Sequence, residues 1–172
     1  MIKYKLLKPF ALLLFIQGLA ISARAQDEKF KAIFVYNFTK HINWPVSEGD
    51  FMILVLGSGN IVGEIEQIAL KKTVGNQPIK INRINSPAEI SKGHILYITA
   101  SKNDMLPDAF AVAKKKNILL ITEKSSACKG GSGINFVTKD GKLGFEVSKS
   151  NIESCGLGVS SDLLKLGMAA SN

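Results

Sequence analysis

Residues 133–166, GINFVTKDGKLGFEVSKSNIESCGLGVSSDLLKL, are the stretch that decides the fold. The first half predicts a β-hairpin, because Asp140-Gly141 suits the two central positions of a type I′ turn, which both need a positive φ. Counting outward from the turn gives four facing pairs: Lys139 with Lys142, Thr138 with Leu143, Phe136 with Phe145, and Ile134 with Val147. One face of the ribbon is therefore apolar, and the rest of the chain has to cover it.

The second half of the stretch predicts two short helices, separated at Gly156-Leu157-Gly158. Ser160 or Ser161 suits the N-cap of the last helix. We expect Leu163, Leu164 and Leu166 of that helix to pack inward.

Residues 1–25 have the pattern of a cleaved signal peptide. Three lysines precede an apolar run of about 12 residues, which is too short to span a bilayer. Ala23-Arg24-Ala25 fits a small-x-small cleavage site, so cleavage between Ala25 and Gln26 is predicted. The alternative is a retained membrane anchor, but no long stop-transfer segment follows. We expect an exported protein, with residues 26–172 forming its folded domain.

The charge of the chain argues against a nucleic-acid partner. The formal net charge of +8 falls to about +4 once the four basic residues of the leader are removed. The remaining basic run, Lys114-Lys115-Lys116, is predicted at the end of a helix, where the helix dipole and solvent account for it.

Two cysteines, Cys128 and Cys155, remain after cleavage. An even number of cysteines in an exported protein favours a disulfide. Its loop of about 27 residues would contribute about 3.5 kcal/mol in the chain-entropy model. Two buried free thiols are the alternative. Two sulfurs without clustered histidines are too few ligands for a metal site.

The rest of the chain alternates strands and helices. Three apolar runs, 51–56, 94–99 and 117–122, predict strands covered on both faces, and 78–84 predicts a half-exposed or edge strand. Helices are predicted at 28–43, 60–72 and 103–116, with a short turn of helix at 86–92. The fold class is therefore α/β: a single-domain three-layer sandwich with a mostly parallel sheet of about six strands and a C-terminal antiparallel hairpin.

The first helix, Glu28–Asn43, has an apolar stripe at three- and four-residue spacing, and Pro45 is expected to stop it. The members of the stripe are Phe30, Ile33, Phe34, Phe38 and His41/Ile42. Val35 and Tyr36 widen the apolar face, so the helix, including Phe30 and Ile33, is expected to be deeply packed.

The turn Gly57-Ser58-Gly59-Asn60, with Gly63, is similar to a dinucleotide-binding turn, where glycines let a phosphate approach a helix N-terminus. The second strand lacks the acidic residue that would hold a ribose, so a tight strand-to-helix turn is the better interpretation, and no cofactor is expected.

No catalytic set is predicted. His41 and His94 are interpreted as structural. Ser160-Ser161-Asp162 is better explained as a helix start. Glu146 lies on the hairpin face opposite Phe145, where a solvated or capping role is more usual than that of a general base. We therefore expect no enzyme, and no catalytic or metal-binding residue.

Several segments together resemble the YfiR/HmsC family of periplasmic proteins, from about Lys31 to Leu166. They are the first helix ending in Trp44-Pro45, the Gly130-Gly131 loop with Phe136-Val137, the strand Phe145-Glu146-Val147, and the C-terminal segment from Gly156-Leu157 to Leu163-Leu164. In this chain Ser148 stands where the family strand commonly has Asn, and there are fewer cysteines than in better studied relatives.

The resemblance implies a non-enzymatic α/β protein, often dimeric, that represses the periplasmic part of an inner-membrane signalling protein. That partner is a diguanylate cyclase or, in this lineage, a sensor kinase. An outer-membrane protein that sequesters the repressor is also implied, with cyclic-di-GMP-dependent biofilm as the output. Trp44 and the loop Lys129, Gly130 and Gly131 are candidate contacts, although Trp44 also suits the core. The alternative function is a periplasmic small-ligand sensor that uses Gly57, Ser58 and Gly59.

Overall fold

The computed structural model describes residues 26–46 and 48–169. The strands are β1 (Ile42–Asn43), β2 (Phe51–Leu56), β3 (Thr73–Val74), β4 (Gln77–Ile84), β5 (Ile95–Ile98), β6 (Leu119–Thr122), β7 (Ile134–Lys139), β8 (Lys142–Val147), β9 (Gly158–Val159) and β10 (Met168–Ala169). The helices are α1 (residues 26–38), α2 (Asn60–Ala69), α3 (Leu106–Lys116), α4 (Lys149–Ser154) and α5 (Ser161–Leu166). Short 3-10 helices occupy Pro87–Glu89, Ala100–Met105 and Ala127–Gly130.

The main sheet has eight strands in the order β10-β8-β7-β6-β5-β2-β4-β3. Strands β4, β2, β5, β6 and β7 run parallel, and β8 is antiparallel to β7. Six of the eight are the predicted strands. The other two, β3 and β10, are two-residue extensions at the edges of the sheet. A separate antiparallel pair joins β1 to β9.

The predicted hairpin is confirmed in its turn and its register. Asp140 and Gly141 have φ values of 51° and 72°, as a type I′ turn requires. Lys139 pairs with Lys142, and Phe136 pairs with Phe145.

Helices cover both faces of the sheet, so the three-layer α/β fold is confirmed. On one face α1 packs on the hairpin, where the Phe38 ring lies 5.9 Å from that of Phe136 and 4.9 Å from that of Phe145. On the other face the 3-10 helix Ala127–Gly130 packs against α3, since Gly130 meets Leu106.

The prediction for the first helix was wrong in two respects. The helix ends at Phe38, not Asn43, because three consecutive backbone N–H groups, Thr39 to His41, bond carbonyls three residues back and tighten the last turn. Ile42–Asn43 then pairs with β9 as a strand. The buried face consists of Ala32, Val35 and Phe38, whereas Phe30 and Ile33 are exposed. The sequence stripe is therefore wider than the surface that α1 covers.

The last helix is confirmed except at its end. Ser160 caps α5, since its Oγ accepts a hydrogen bond from the Leu163 backbone N–H at 3.2 Å. Leu163 is buried and Leu164 is half-buried. Leu166 was predicted to pack inward but is 69% exposed, because it is the final residue of a short helix at the edge of the core.

The predicted leader, residues 1–25, lies outside the described residues, so its cleavage after Ala25 remains a prediction.

Candidate functional site: an apolar groove and a cavity at the sheet edge

An apolar groove of about 750 Å³ runs between α1, the hairpin and the C-terminal elements α5 and β10. Three aromatic rings, those of Phe34, Phe38 and Phe145, form one part of its wall. The Phe34 ring lies 5.4 Å from that of Phe145, so these rings pack together as well as line the groove. The other apolar side chains of the lining are Leu143, Leu163, Leu166 and Met168.

The rim of the groove is basic. Lys40, Lys139 and Lys142 border it, with Asp140 as the acidic member. Lys139 and Lys142 face each other directly across the hairpin, an arrangement that is destabilising for like charges. Within residues 26–46 and 48–169, none of these lysines has a carboxylate partner within 4.0 Å. The groove therefore combines an apolar floor with a rim of net positive charge.

A histidine–serine hydrogen bond closes one end of the groove. His41 Nδ1 lies 3.0 Å from Ser160 Oγ. Ser160 Oγ also accepts a hydrogen bond from the Leu163 N–H, so this hydroxyl joins the α5 N-cap to the His41 ring. The contact ties α5 to the segment that follows α1, in agreement with the structural role predicted for His41.

A second cavity, of about 510 Å³, lies where the parallel strands end. The chain leaves β2 for β4 on one side and then returns to β5 on the other, so the strand order reverses between β2 and β5. Ser58 and Gly59 border the cavity from β2, and Thr99 and Ser101 border it from the end of β5. Open α/β sheets bind ligands at such a reversal point.

Gly57 is required by packing at the end of β2. It has a φ of 102°, and a Cβ on it would collide with the Thr99 hydroxyl. The tight-turn interpretation of the glycine segment is sufficient to explain this residue.

An ion-pair cluster anchored on α1 covers the same ends of the parallel strands. Lys31 Nζ lies 2.6 Å from Glu123 Oε2 and 2.9 Å from Glu28 Oε1. Glu123 Oε1 also accepts a hydrogen bond from the Ala100 N–H at 3.1 Å. Burial lowers the pKa of Lys31, but its hydrogen bonds and charge interactions with Glu123 and Glu28 outweigh that effect and raise the pKa. The cluster fixes the start of α1 over the ends of β5 and β6.

Tyr97 lies beneath this cluster and is fully buried. Burial, and then the negative charges of Glu123 and Glu28, raise its pKa. No described residue forms a hydrogen bond of acceptable geometry with its hydroxyl. Weak hydrogen bonding to the Glu123 carboxylate also raises this pKa, but the phenol makes no hydrogen bond of good geometry within the described part of the chain.

The other predicted contact residues lie elsewhere on the molecule. Trp44 is half-buried at the opposite end of the parallel strands, with its ring 5.1 Å from that of Phe51 and its Nε1 donating to the Thr39 carbonyl at 2.9 Å. Lys129 is exposed on the loop before β7. Gly131, at φ 110°, presses against the Phe110 ring, where a side chain would collide. The three predicted segments thus do not form one surface.

The predicted disulfide is not formed in the structure, where Cys128 and Cys155 are both buried free thiols. Burial, followed by the charge and hydrogen bonding of Glu146, raises the pKa of Cys128 to about 12. The pKa of Cys155 is also raised by burial, although Ser154 and Lys114 oppose the shift. Each thiol is enclosed by its own neighbours, as in the free-thiol alternative.

Glu146 belongs to a buried polar network. It accepts a hydrogen bond from Asn135 Nδ2 at 3.0 Å. Asn135 Oδ1 in turn accepts from Thr122, whose hydroxyl also lies 2.8 Å from that of Ser132. The network links β6, β7 and β8, which gives Glu146 a structural role.

Residues 26–46 and 48–169 contain neither a metal-binding cluster nor a membrane-spanning helix. No three His, Cys, Asp or Glu side chains come together there as a metal site would need. In the same part of the chain, no helix has both the length and the apolar character of a membrane span.

Comparison with known proteins identifies the family. No curated protein matches the chain. The family model described as YfiR/HmsC-like matches residues 28–168, which include α1, the whole main sheet up to the first residue of β10, and the groove. The chain therefore belongs to the YfiR/HmsC-like family.

Proposed function

We propose that the chain is an exported, non-enzymatic repressor that binds the periplasmic part of an inner-membrane signalling protein, either a diguanylate cyclase or a sensor kinase. The observation that carries the proposal is the family match over residues 28–168, because it covers nearly all of the folded domain. The family consists of periplasmic regulators of cyclic-di-GMP signalling.

The proposed mechanism is differential binding. A regulator represses its partner only if it binds the inactive state more tightly than the active one. Rigid apolar surfaces suit such a task, since they discriminate between two shapes of a partner at little cost in ordering. The groove beside α1 is a surface of that kind.

The proposed organisation is a leader at residues 1–25 and one folded domain at residues 26–172, acting in the periplasm. An outer-membrane protein that sequesters the repressor, and a homodimer, complete the proposed set of partners. The proposal includes no cofactor and no nucleic acid.

The test is to purify the mature chain on a tag, incubate it with detergent-solubilised membranes of the source cells, and identify the retained proteins. We expect a diguanylate cyclase or sensor kinase with a periplasmic region. Its cyclic-di-GMP synthesis or autophosphorylation should fall when the mature chain is added. Retention of no signalling protein, or an output that does not respond to the chain, would refute the proposal.

A second candidate function is a small-ligand sensor, and the cavity at the reversal point between β2 and β5 favours it. Ser58 and Ser101 place hydroxyl groups at its border, whereas the hydroxyl of Thr99 is buried and already bonded to the Leu56 carbonyl and the Ser101 hydroxyl. A thermal-shift screen of periplasmic metabolites tests it, because a ligand that binds only the folded state raises the melting temperature. The variant Ser58→Trp should abolish the shift for a ligand of this cavity and leave partner binding in the groove unchanged.

A further inference from the structure

The apolar surface of the groove continues beyond it along α1. Phe30 is 44% exposed and lies one turn before Phe34, and Ile33 is 39% exposed and lies one turn before Asn37. Phe34 and Asn37 both line the groove. We call the surface formed by Phe30, Ile33 and Phe34, with Leu166 opposite, the apolar strip. From Phe30 to Asn37, which lines the groove, α1 runs about 10 Å along its axis.

Most of the exposed large apolar side chains are on this strip. Five such residues occur in the described part of the chain, and three of them, Phe30, Ile33 and Leu166, belong to the strip. The other two, Val46 and Leu70, lie outside the helices and strands, in other parts of the chain. Scattered apolar residues need no explanation, but an apolar patch with a polar border marks an interaction site.

The positive rim restricts what can cover the strip. A second copy docked through the same surface would bring two net-positive rims together, because a two-fold interface uses the same patch on both subunits, and the like charge disfavours that contact. The leader carries Lys3, Lys5, Lys8 and Arg24 and no acidic residue, so its charge is also of the wrong sign. The best complement is an apolar stripe bordered by carboxylates.

The shape of the surface favours a helix over a small molecule. A compact ligand would be held by the groove alone, and Phe30 and Ile33 would stay uncovered. An amphipathic helix with apolar residues at i, i+3, i+4 and i+7 would extend along the whole strip, as helices do in apolar grooves of other binding proteins.

We propose that the apolar strip and its lysine rim are the docking site for an amphipathic helix with acidic flanks, supplied by the partner protein. The inference rests on the proposed function, to which it adds the contact face and the chemistry of the partner segment. The apolar stripe of the helix lies against Phe34 and Leu166, and its carboxylates lie near Lys139 and Lys142.

The first experiment uses a synthetic probe. A labelled amphipathic peptide of about 18 residues, with leucines along one stripe and glutamates beside them, is titrated with the mature chain by fluorescence anisotropy. The same peptide with lysine in place of glutamate is the comparison. We expect the acidic peptide to bind at least about tenfold more tightly. Equal binding of both peptides, or binding of neither, would overturn the proposal.

Matched variants then locate the binding site. Leu166→Glu should weaken binding of the acidic peptide at least about tenfold, because it places a carboxylate on the strip. Leu70→Glu is the control, since Leu70 is 79% exposed but lies after α2. Lys139→Glu with Lys142→Glu should have a similar effect, whereas Lys71→Glu with Lys72→Glu makes the same change in net charge away from the groove. Equal effects of test and control variants would contradict the assignment.

The second experiment separates failure of this inference from failure of the proposed function. A photo-crosslinking residue, p-benzoylphenylalanine, replaces Leu166 or, as control, Leu70 in the exported chain in its own cells. We expect an adduct only at position 166, with the cross-linked partner peptide mapping to an acidic amphipathic segment. An adduct with a second copy or with lipid would overturn the inference. A signalling protein that is retained by the mature chain but cross-links only at position 70 would refute the docking site and leave the proposed function standing. Cross-linking at position 166 to an acidic helix of a protein without signalling activity would support the docking site and refute the proposed function.

Discussion

Replacing Phe38 with alanine should be the most informative single test of how α1 is attached to the hairpin. Phe38 is 1% exposed, and its ring lies 6.1 Å from Phe34, 5.9 Å from Phe136 and 4.9 Å from Phe145. Phe→Ala substitutions in well-packed cores cost about 3–5 kcal/mol, and here the surrounding rings are too rigid to fill the cavity. For a domain of about 150 residues, a loss of about 4 kcal/mol lowers the melting temperature by roughly 8–16 °C.

The assay is urea unfolding of the mature chain, followed by circular dichroism, with thermal melts as a second measurement. Phe30→Ala is the matched control, because it removes the same atoms from the same helix at a position 44% exposed. The control should cost less than about 1 kcal/mol. Phe38→Leu should cost about 1–2 kcal/mol, since most of the volume remains. A loss for Phe30→Ala equal to that for Phe38→Ala would refute the orientation of α1 on which the apolar strip depends.

Three further predictions concern titratable groups. Burial, and then nearby Lys92, lower the pKa of His94, and its Nδ1 accepts a hydrogen bond from the Met52 N–H at 3.0 Å. Because the neutral ring is favoured in the folded state, the contribution of His94 to stability should be complete above about pH 6.5 and decline as the pH falls below that value. His94→Asn removes this titration, so urea unfolding between pH 7.5 and 5 should show a smaller loss than in the unmodified chain, and equal losses would contradict the assignment. Tyr97→Phe should raise the free energy of unfolding by about 1 kcal/mol, because it removes a buried hydroxyl without a hydrogen bond; a loss of that size would show that the hydroxyl is stabilising. Cys128, with a pKa raised to about 12, should react with a thiol reagent far more slowly in the native chain than in urea. In urea without reductant, two free thiols per chain should react with the reagent. A count of fewer than two free thiols would show that the disulfide forms.

Local sequence patterns were sufficient for the sheet. The Asp140-Gly141 turn fixes the register of the hairpin by itself, since both residues favour a positive φ and the side chains then alternate in a fixed order. The three apolar runs predicted β2, β5 and β6 because strands covered on both faces have no polar alternation. These features depend on neighbours in sequence, so one chain is enough to read them.

Tertiary contacts decided the features that carry the proposed function. The stripe of α1 predicted that Phe30 and Ile33 would be buried, but which side of a helix is covered depends on the surface it meets, and here Ala32 and Val35 face the sheet. The end of α1 was misplaced because Ile42–Asn43 pairs with β9, more than a hundred residues away. The groove is formed by three distant segments, and the Lys31–Glu123 ion pair joins residues 92 positions apart. No local pattern specifies such contacts. The sequence by itself therefore determined the six long strands of the main sheet and the existence of its helices, whereas the short strands β1, β3, β9 and β10 and the surface left open between the elements were set only by how they pack.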